Sequence, residues 1–259
     1  MTPILEKIVA HKRLEVLSSE QAISSQQLKD SLYYHRETYS AMSALRSGGI
    51  IAEHKRKSPS KKSINLNRPL VDTIDRYVRG GASAISVLTD TQFFGGSLTD
   101  LALARASCSL PIIRKDFIIS TYQIDEAKAY GADFILLIAA ILSPNQIQEF
   151  TAYAHAIGLE VLLEVHDKEE LLINKNCPVD LVGVNHRNLK TFETNLDLGL
   201  ELLPEIDKNQ IAVAESGIHT KKSLKKLWKA GFKGFLIGES IMKHKAPEEV
   251  LLKWNNCLK

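Results

Sequence analysis

Gly131-Ala132-Asp133-Phe134-Ile135-Leu136-Leu137-Ile138-Ala139 decides the fold. The run Phe134 to Ala139 is continuously apolar, as expected of a parallel strand buried on both faces rather than of a half-exposed strand with alternating character. A different period follows, with Ile147, Phe150, Thr151 and Ala154 at i, i+3, i+4 and i+7 on one helical face. Gly158 then precedes a second apolar run, Leu159 to Leu163. Six further runs of this kind flank the pair: Ile50 to Ala52, Ala84 to Leu88, Pro111 to Ile113, Leu181 to Val184, Ile211 to Ala214 and Gly234 to Ile237. Each is followed by a segment that reads as a helix or its start, and Leu224, Leu227 and Trp228 repeat the helical stripe. Gly80-Gly81, Gly131, Gly158 and Gly231 fall after helical segments, where a left-handed residue lets the chain turn back. Eight such units at intervals of about 20 to 35 residues predict an α/β protein, a (β/α)8 TIM barrel rather than an open doubly wound sheet.

The remaining composition is that of an ordinary packed protein. Its 259 residues are 44% hydrophobic and 24% charged, with 14 Gly and 8 Pro, which argues against disordered, collagenous and coiled-coil chains. With 33 basic against 30 acidic residues, a net charge of +3 is too small to make the whole molecule a polyanion binder, so any anion site must be local. Cys108, Cys177 and Cys257 lie far apart with no CxxC pair, supporting neither a zinc ribbon nor a disulfide framework; a cytoplasmic compartment is expected. Met1 to Arg13 lacks a secretory apolar region and reads as a helix, with Ile4, Leu5, Ile8 and Val9 on one face. Residues 1–47 are therefore expected to form an N-terminal helical extension packed on a barrel spanning 48–259. The longest apolar run, Phe134 to Leu142, is about half of what a membrane-spanning helix needs, and no membrane partner is expected.

The chemistry should collect at the C-terminal ends of the strands, where barrel enzymes work. Those ends carry Glu53, Lys115, Glu164, Asn185 and Glu215, with Lys55 just past the first. Two lysines and three glutamates converging on one mouth would be a poor core, because unpaired buried charge is costly; catalysis, or salt bridges closing the rim, are the two explanations. Ala214-Glu215-Ser216-Gly217-Ile218 and Ile237-Gly238-Glu239-Ser240 follow the seventh and eighth runs, the usual phosphate position of such barrels. His54-Lys55-Arg56-Lys57-Ser58-Pro59-Ser60-Lys61-Lys62 is the strongest charge cluster. It could be a solvated loop or a nucleic-acid patch, but it lacks interleaved aromatics and Pro59 interrupts any recognition helix. After the first strand it can instead bring Lys57 and Ser58 to the same phosphate. The eight histidines show no HExxH or similar spacing, so no metal is expected; His166 and His186 lie near strand ends in structural or substrate-edge positions.

These residues are specific enough to mark a resemblance. Ile4 to Arg13, Ile51 to Ser60, Leu88 to Ser97, Arg114 to Ile119, Gly131 to Ile138, Gly183 to Leu189 and Ala214 to Ile218, in this order and spacing, resemble the indole-3-glycerol phosphate synthase family over nearly the whole chain. The resemblance implies a cofactor-free lyase of tryptophan biosynthesis. Such an enzyme closes the pyrrole ring of 1-(2-carboxyphenylamino)-1-deoxyribulose 5-phosphate and releases CO2 and water. It implies Lys115 as general acid at the ketone oxygen, Lys55 on the substrate carboxylate or in the later dehydration, and Glu164 and Glu53 in the remaining acid/base work. Asn185, Arg187, Glu215 and Ser216 would position the substrate, with Phe94 and Phe117 against its aromatic ring. Lys57, Ser58, Gly217, Gly238 and the backbone of Glu239 would border the phosphate. His54, His186 and Lys62 depart from the family pattern beside motif residues, which bears on pH optimum and loop mobility. Phosphoribosylanthranilate isomerase, the runner-up, would place a cysteine where Glu53 stands. The expected partner is a small phosphorylated substrate, without nucleic acid or membrane, and a monomer is expected rather than an oligomer.

Overall fold

The computed structural model describes residues 3–59, 68–189 and 191–258. Eight strands form in the order read from the apolar runs: β1 (Gly49–His54), β2 (Ala84–Leu88), β3 (Ile112–Lys115), β4 (Phe134–Ile138), β5 (Glu160–Val165), β6 (Leu181–Asn185), β7 (Ile211–Glu215) and β8 (Gly234–Ile237). Each is hydrogen-bonded in parallel to the next. β8 pairs back with β1, Gly49 opposite Gly234 and Ala52 opposite Ile237, so the sheet closes into a (β/α)8 barrel.

Several strands run past their apolar segments. β1, β3, β5, β6 and β7 take in Glu53, Lys115, Glu164, Asn185 and Glu215, because the backbone ladder continues wherever a polar side chain can open onto the mouth. β3 begins at Ile112 rather than Pro111, whose ring leaves no N–H for the ladder.

Alternation along each strand sorts the side chains into two cores. Ile51, Ile113, Phe134, Leu136, Leu162, Leu181, Ile211, Val213 and Leu236 fill the barrel interior. Ile50, Ala52, Ile112, Val161, Leu163, Val182, Val184, Ala214 and Phe235 face the surrounding helices. The helix Pro144–Ala156 buries Ile147, Phe150, Thr151 and Ala154, the predicted stripe. Gly131 (φ 91°) and Gly158 (φ 78°) make the left-handed turns that return the chain to β4 and β5.

The residues ahead of β1 run from the mouth of the barrel to its base. The helix Pro3–Ala22 places Ile4, Leu5 and Ile8 at the mouth. Its Lys12 is fully buried, 2.9 Å from Asp116, 3.1 Å from Asp90 and 2.9 Å from Glu15. Tyr122 then donates its hydroxyl to the Ser19 and Ile23 carbonyls, and Tyr34 donates to Asp125 at 2.6 Å. At the base, Ser40 Oγ and the Met42 N–H donate to Glu160, and the short helix Ala41–Leu45 packs against β1 and β2.

Candidate active site

Because side chains two apart share a face, an inward apolar residue near the end of four of the strands is followed at i+2 by an inward polar one. Ile51 leads to Glu53, Ile113 to Lys115, Leu162 to Glu164 and Val213 to Glu215. Gly183 leads to Asn185 on the same face. One cavity at the mouth is lined by all five polar residues and by Lys55, Ser58, Phe94, Phe117, Arg187, Ser216, Gly217, Gly238 and Glu239. Lys57 is the exception among the expected residues. Its ammonium donates to the Gln92 carbonyl at 2.9 Å and does not line the cavity.

The polar floor is a single ionic network. Lys115 lies 3.3 Å from Glu164 Oε2 and also contacts Glu215 Oε2, while Lys55 contacts Glu53 Oε1. The pairs expected on one reading to close the rim therefore form the floor of the cavity. Asn185 donates its amide to Glu164 Oε1 at 3.2 Å and accepts from the Arg187 N–H at 3.1 Å, which sets its orientation. Gly238 and Gly183 leave the room these glutamates need: a Cβ on Gly238 would fall 2.6 Å from Glu53 Oε1, and one on Gly183 would collide with Glu215 Oε1.

Burial penalises every charge in this network, and the neighbours decide which way each group moves. Burial would lower the Lys115 ammonium, but Glu215, Glu164 and Glu53 together hold it well above the usual lysine range. Burial would raise Glu164, but Lys115, His166 and Asn185 hold it far below the usual carboxylate range. Glu53 is likewise lowered, with Lys55 and Lys115 outweighing burial. Glu215 goes the other way, up to about 7, because burial and the Glu164 charge outweigh Lys115. Its Oε1 has no hydrogen-bond partner among the described residues. Adjacent carboxylates are thus driven apart, one toward its anion and one toward its acid.

Above the floor, Phe94 and Phe117 meet at 5.9 Å between centroids and form an apolar wall with Leu5 and Ile8. Opposite, Ser216 (φ 62°) and Gly217 (φ 72°) turn in the left-handed region after β7, and Gly238 leads into the short helix Glu239–Met242 after β8. Ile4, Leu5 and Ile8 were not foreseen at the cavity, because helical periodicity marks a buried face without saying what covers it. Nor was the contact between His166 and Glu164 at 3.2 Å.

Most of the basic stretch after β1 is used within the fold. Arg56 pairs with Asp100 at 2.8 Å, Lys55 turns into the cavity and His54 is buried; Ser60, Lys61 and Lys62 lie outside the described residues. His186 is buried away from the cavity against Phe232, its Nδ1 2.8 Å from the Glu215 carbonyl. Neither ring nitrogen of His54 has a hydrogen-bond partner among the described residues. Burial, aided by Arg56, lowers its pKa to about 4. An unfolded chain takes up this proton near pH 6.5, whereas the folded chain resists it, so stability falls as pH drops from about 6.5 through 4. His54→Leu should remove about 3 kcal/mol of that acid loss. The check is the urea midpoint at pH 7 and pH 4.5 for both proteins; parallel losses would exclude His54 as the sensor.

Fold and cavity together are those of a (β/α)8 barrel enzyme whose polar floor pairs lysines with glutamates beneath an aromatic wall. The family model for indole-3-glycerol phosphate synthase matches residues 5–252. An indole-3-glycerol phosphate synthase of Bacteroides thetaiotaomicron is 47% identical, covering 97% of each chain. Another, of Sulfurimonas denitrificans, is 43% identical over 96% of this chain and 97% of its own. This chain belongs to the indole-3-glycerol phosphate synthase family. Among solved structures, 3-hexulose-6-phosphate synthase of Salmonella typhimurium superposes with a TM-score of 0.65 at 12% identity, covering 81% of this chain and 98% of its own. Thiamine phosphate pyrophosphorylase of Pyrococcus furiosus gives 0.64 at 16%, covering 83% and 96%. At such identities the likeness is one of fold alone.

Proposed function

We propose that this chain converts 1-(2-carboxyphenylamino)-1-deoxyribulose 5-phosphate to indole-3-glycerol phosphate, CO2 and water. The observation that carries the reading is the Lys115 ammonium, held charged among three glutamates on the floor of a cavity with an aromatic wall. As the ring carbon bearing the carboxylate attacks the ketone, the developing alkoxide takes a proton from Lys115. Loss of CO2 returns the electron pair to the ring. Loss of the new hydroxyl as water, with a proton from the neighbouring carbon, completes the pyrrole.

Lys55 faces the carboxylate or the departing hydroxyl, and Glu164 and Glu53 exchange the remaining protons. Asn185, Arg187, Glu215 and Ser216 orient the substrate, and Phe94 and Phe117 hold its aromatic ring. Ser58 and the backbone at Gly217, Gly238 and Glu239 take the phosphate, without Lys57. A monomer is the proposed state, and the three free cysteines suit a cytoplasmic setting. Among the described residues no helix is long and apolar enough to cross a membrane.

The test is to supply the carboxyphenylamino deoxyribulose phosphate and follow indole fluorescence. No signal from folded protein refutes the proposal. Inorganic phosphate should compete with this substrate and, in crystals, occupy the ends of β7 and β8. Absence of competition at millimolar phosphate would remove Gly217 and Gly238 from the site.

A further inference from the structure

His166 stands just past the end of β5, two residues beyond Glu164 and outside the lining of the cavity. Its Nε2 is 3.2 Å from Glu164 Oε1 and its Nδ1 is 3.2 Å from Glu170 Oε2. The Nδ1 contact is a hydrogen bond, whereas Nε2 makes no hydrogen bond among the described residues and meets Glu164 as an ion pair; a neutral imidazole would turn a lone pair toward one of the two carboxylates, and only the imidazolium is attracted to both. Local structure fixes the outer carboxylate. Asp167 caps the helix Lys168–Ile173 by accepting from the Glu170 N–H at 2.8 Å, and the Glu170 side chain reaches back to accept from the His166 backbone N–H at 2.7 Å.

On its far side Glu164 is held by Asn185 through Oε1 and by Lys115 through Oε2. His166 therefore closes a chain of ionic contacts from Glu170 through Glu164 to Lys115. We infer that His166 is a positioning residue for the reaction, a fixed imidazolium that orients the Glu164 carboxylate toward Lys115 and keeps it ionised. This inference rests on the proposed role of Glu164 in proton transfer. The groups facing the imidazole are Glu164 from β5 and Glu170 from the following helix, with Lys115 of β3 and Asn185 of β6 beyond Glu164. Flanked by the two carboxylates, His166 has its pKa raised to about 10 in spite of burial, so the cation persists across the physiological range.

The test compares His166→Asn, Glu170→Gln, Glu164→Gln and the double variant Glu164→Gln/His166→Asn, each assayed as kcat and KM against pH. His166→Asn should lower kcat by about 10- to 100-fold, the scale of a misaligned catalytic group, with KM nearly unchanged. The pH limb that Glu164→Gln abolishes should move to higher pH in His166→Asn, because the lost cation no longer favours the carboxylate. Glu170→Gln, which leaves the imidazolium in place and removes a half-buried negative charge beside it, should shift the same limb by less and to lower pH. It carries the test should His166→Asn fail to fold. The double variant should be no slower than Glu164→Gln alone.

A uniform loss of kcat with an unmoved limb, or additive losses in the double variant, would overturn the inference. Parental kcat in Glu164→Gln would instead refute the role of Glu164 itself.

Discussion

Replacing Lys115 by methionine is expected to lower kcat by a factor of about 10² to 10⁴. The ammonium contacts Glu215 and Glu164, and its field also lowers Glu53. Its removal deletes the proton donor and the cation shared by three buried carboxylates, leaving Lys55 beside Glu53 and His166 beside Glu164 but taking from Glu215 its ion-pair partner. The three carboxylates cannot all remain ionised, so protons would be taken up and the opposed ionisation of Glu164 and Glu215 lost. KM should change less than kcat, since the proposed phosphate contacts lie after β7 and β8 and the aromatic wall stands apart from the floor. Lys115→Arg keeps the charge but replaces a compact ammonium with a planar fork, and should recover stability more than turnover. Steady-state indole fluorescence, with substrate near and far above KM, separates these effects. Near-normal kcat in the methionine variant would remove Lys115 from the proton-transfer step.

The barrel was legible because eight apolar runs and the intervening helical stripes recur in one order, and both periods are local properties of the chain. The polar floor was legible for a related reason. Glu53, Lys115, Glu164, Asn185 and Glu215 interrupt apolar sequence at one end of their strands, where only an opening to the mouth tolerates them. Continuous apolar runs hide which face each residue takes, and counting back by two from each polar residue would have separated interior from exterior.

What escaped detection depends on contacts distant in sequence or on a specific local bend. Lys57 sits beside Ser58, yet its stem crosses Gly95 to reach the Gln92 carbonyl, a contact that no spacing encodes. His166 joins Glu164 through the capping geometry of the next helix. Lys12 did leave a trace: on the buried stripe of Leu5, Ile8, Val9, Lys12 and Val16 it is the one charged member. A lysine in that position needs a buried anion, and the sequence does not say where those anions lie.

Replacing Lys12 by methionine should therefore destabilise the protein by about 3 to 5 kcal/mol, the range for breaking a buried ion pair by removing one partner. Methionine keeps the length and apolar stem, so the loss isolates the charge. Burial would lower the Lys12 ammonium, but Asp116, Asp90 and Glu15 raise it well above its ordinary value. Its contribution is accordingly full below the unfolded pKa near 10.5 and is lost as pH rises through the folded value. Asp116 directly follows Lys115, and Asp90 caps the short helix Thr91–Phe94 by accepting from the Phe93 and Phe94 N–H groups. Lys12 thus ties the helix Pro3–Ala22, which supplies Leu5 and Ile8 to the cavity, to the segments that present Lys115 and Phe94. In the variant Asp90 loses its cation and Asp116 keeps only Arg114, at 3.1 Å, and Asp116→Asn added to Lys12→Met should restore part of the stability. Urea unfolding at pH 7 measures both changes. A Lys12→Met midpoint equal to the parent's would mean that the aspartates are satisfied without the helix, and the coupling between the N-terminal segment and the active-site floor would have to be sought in its apolar contacts instead.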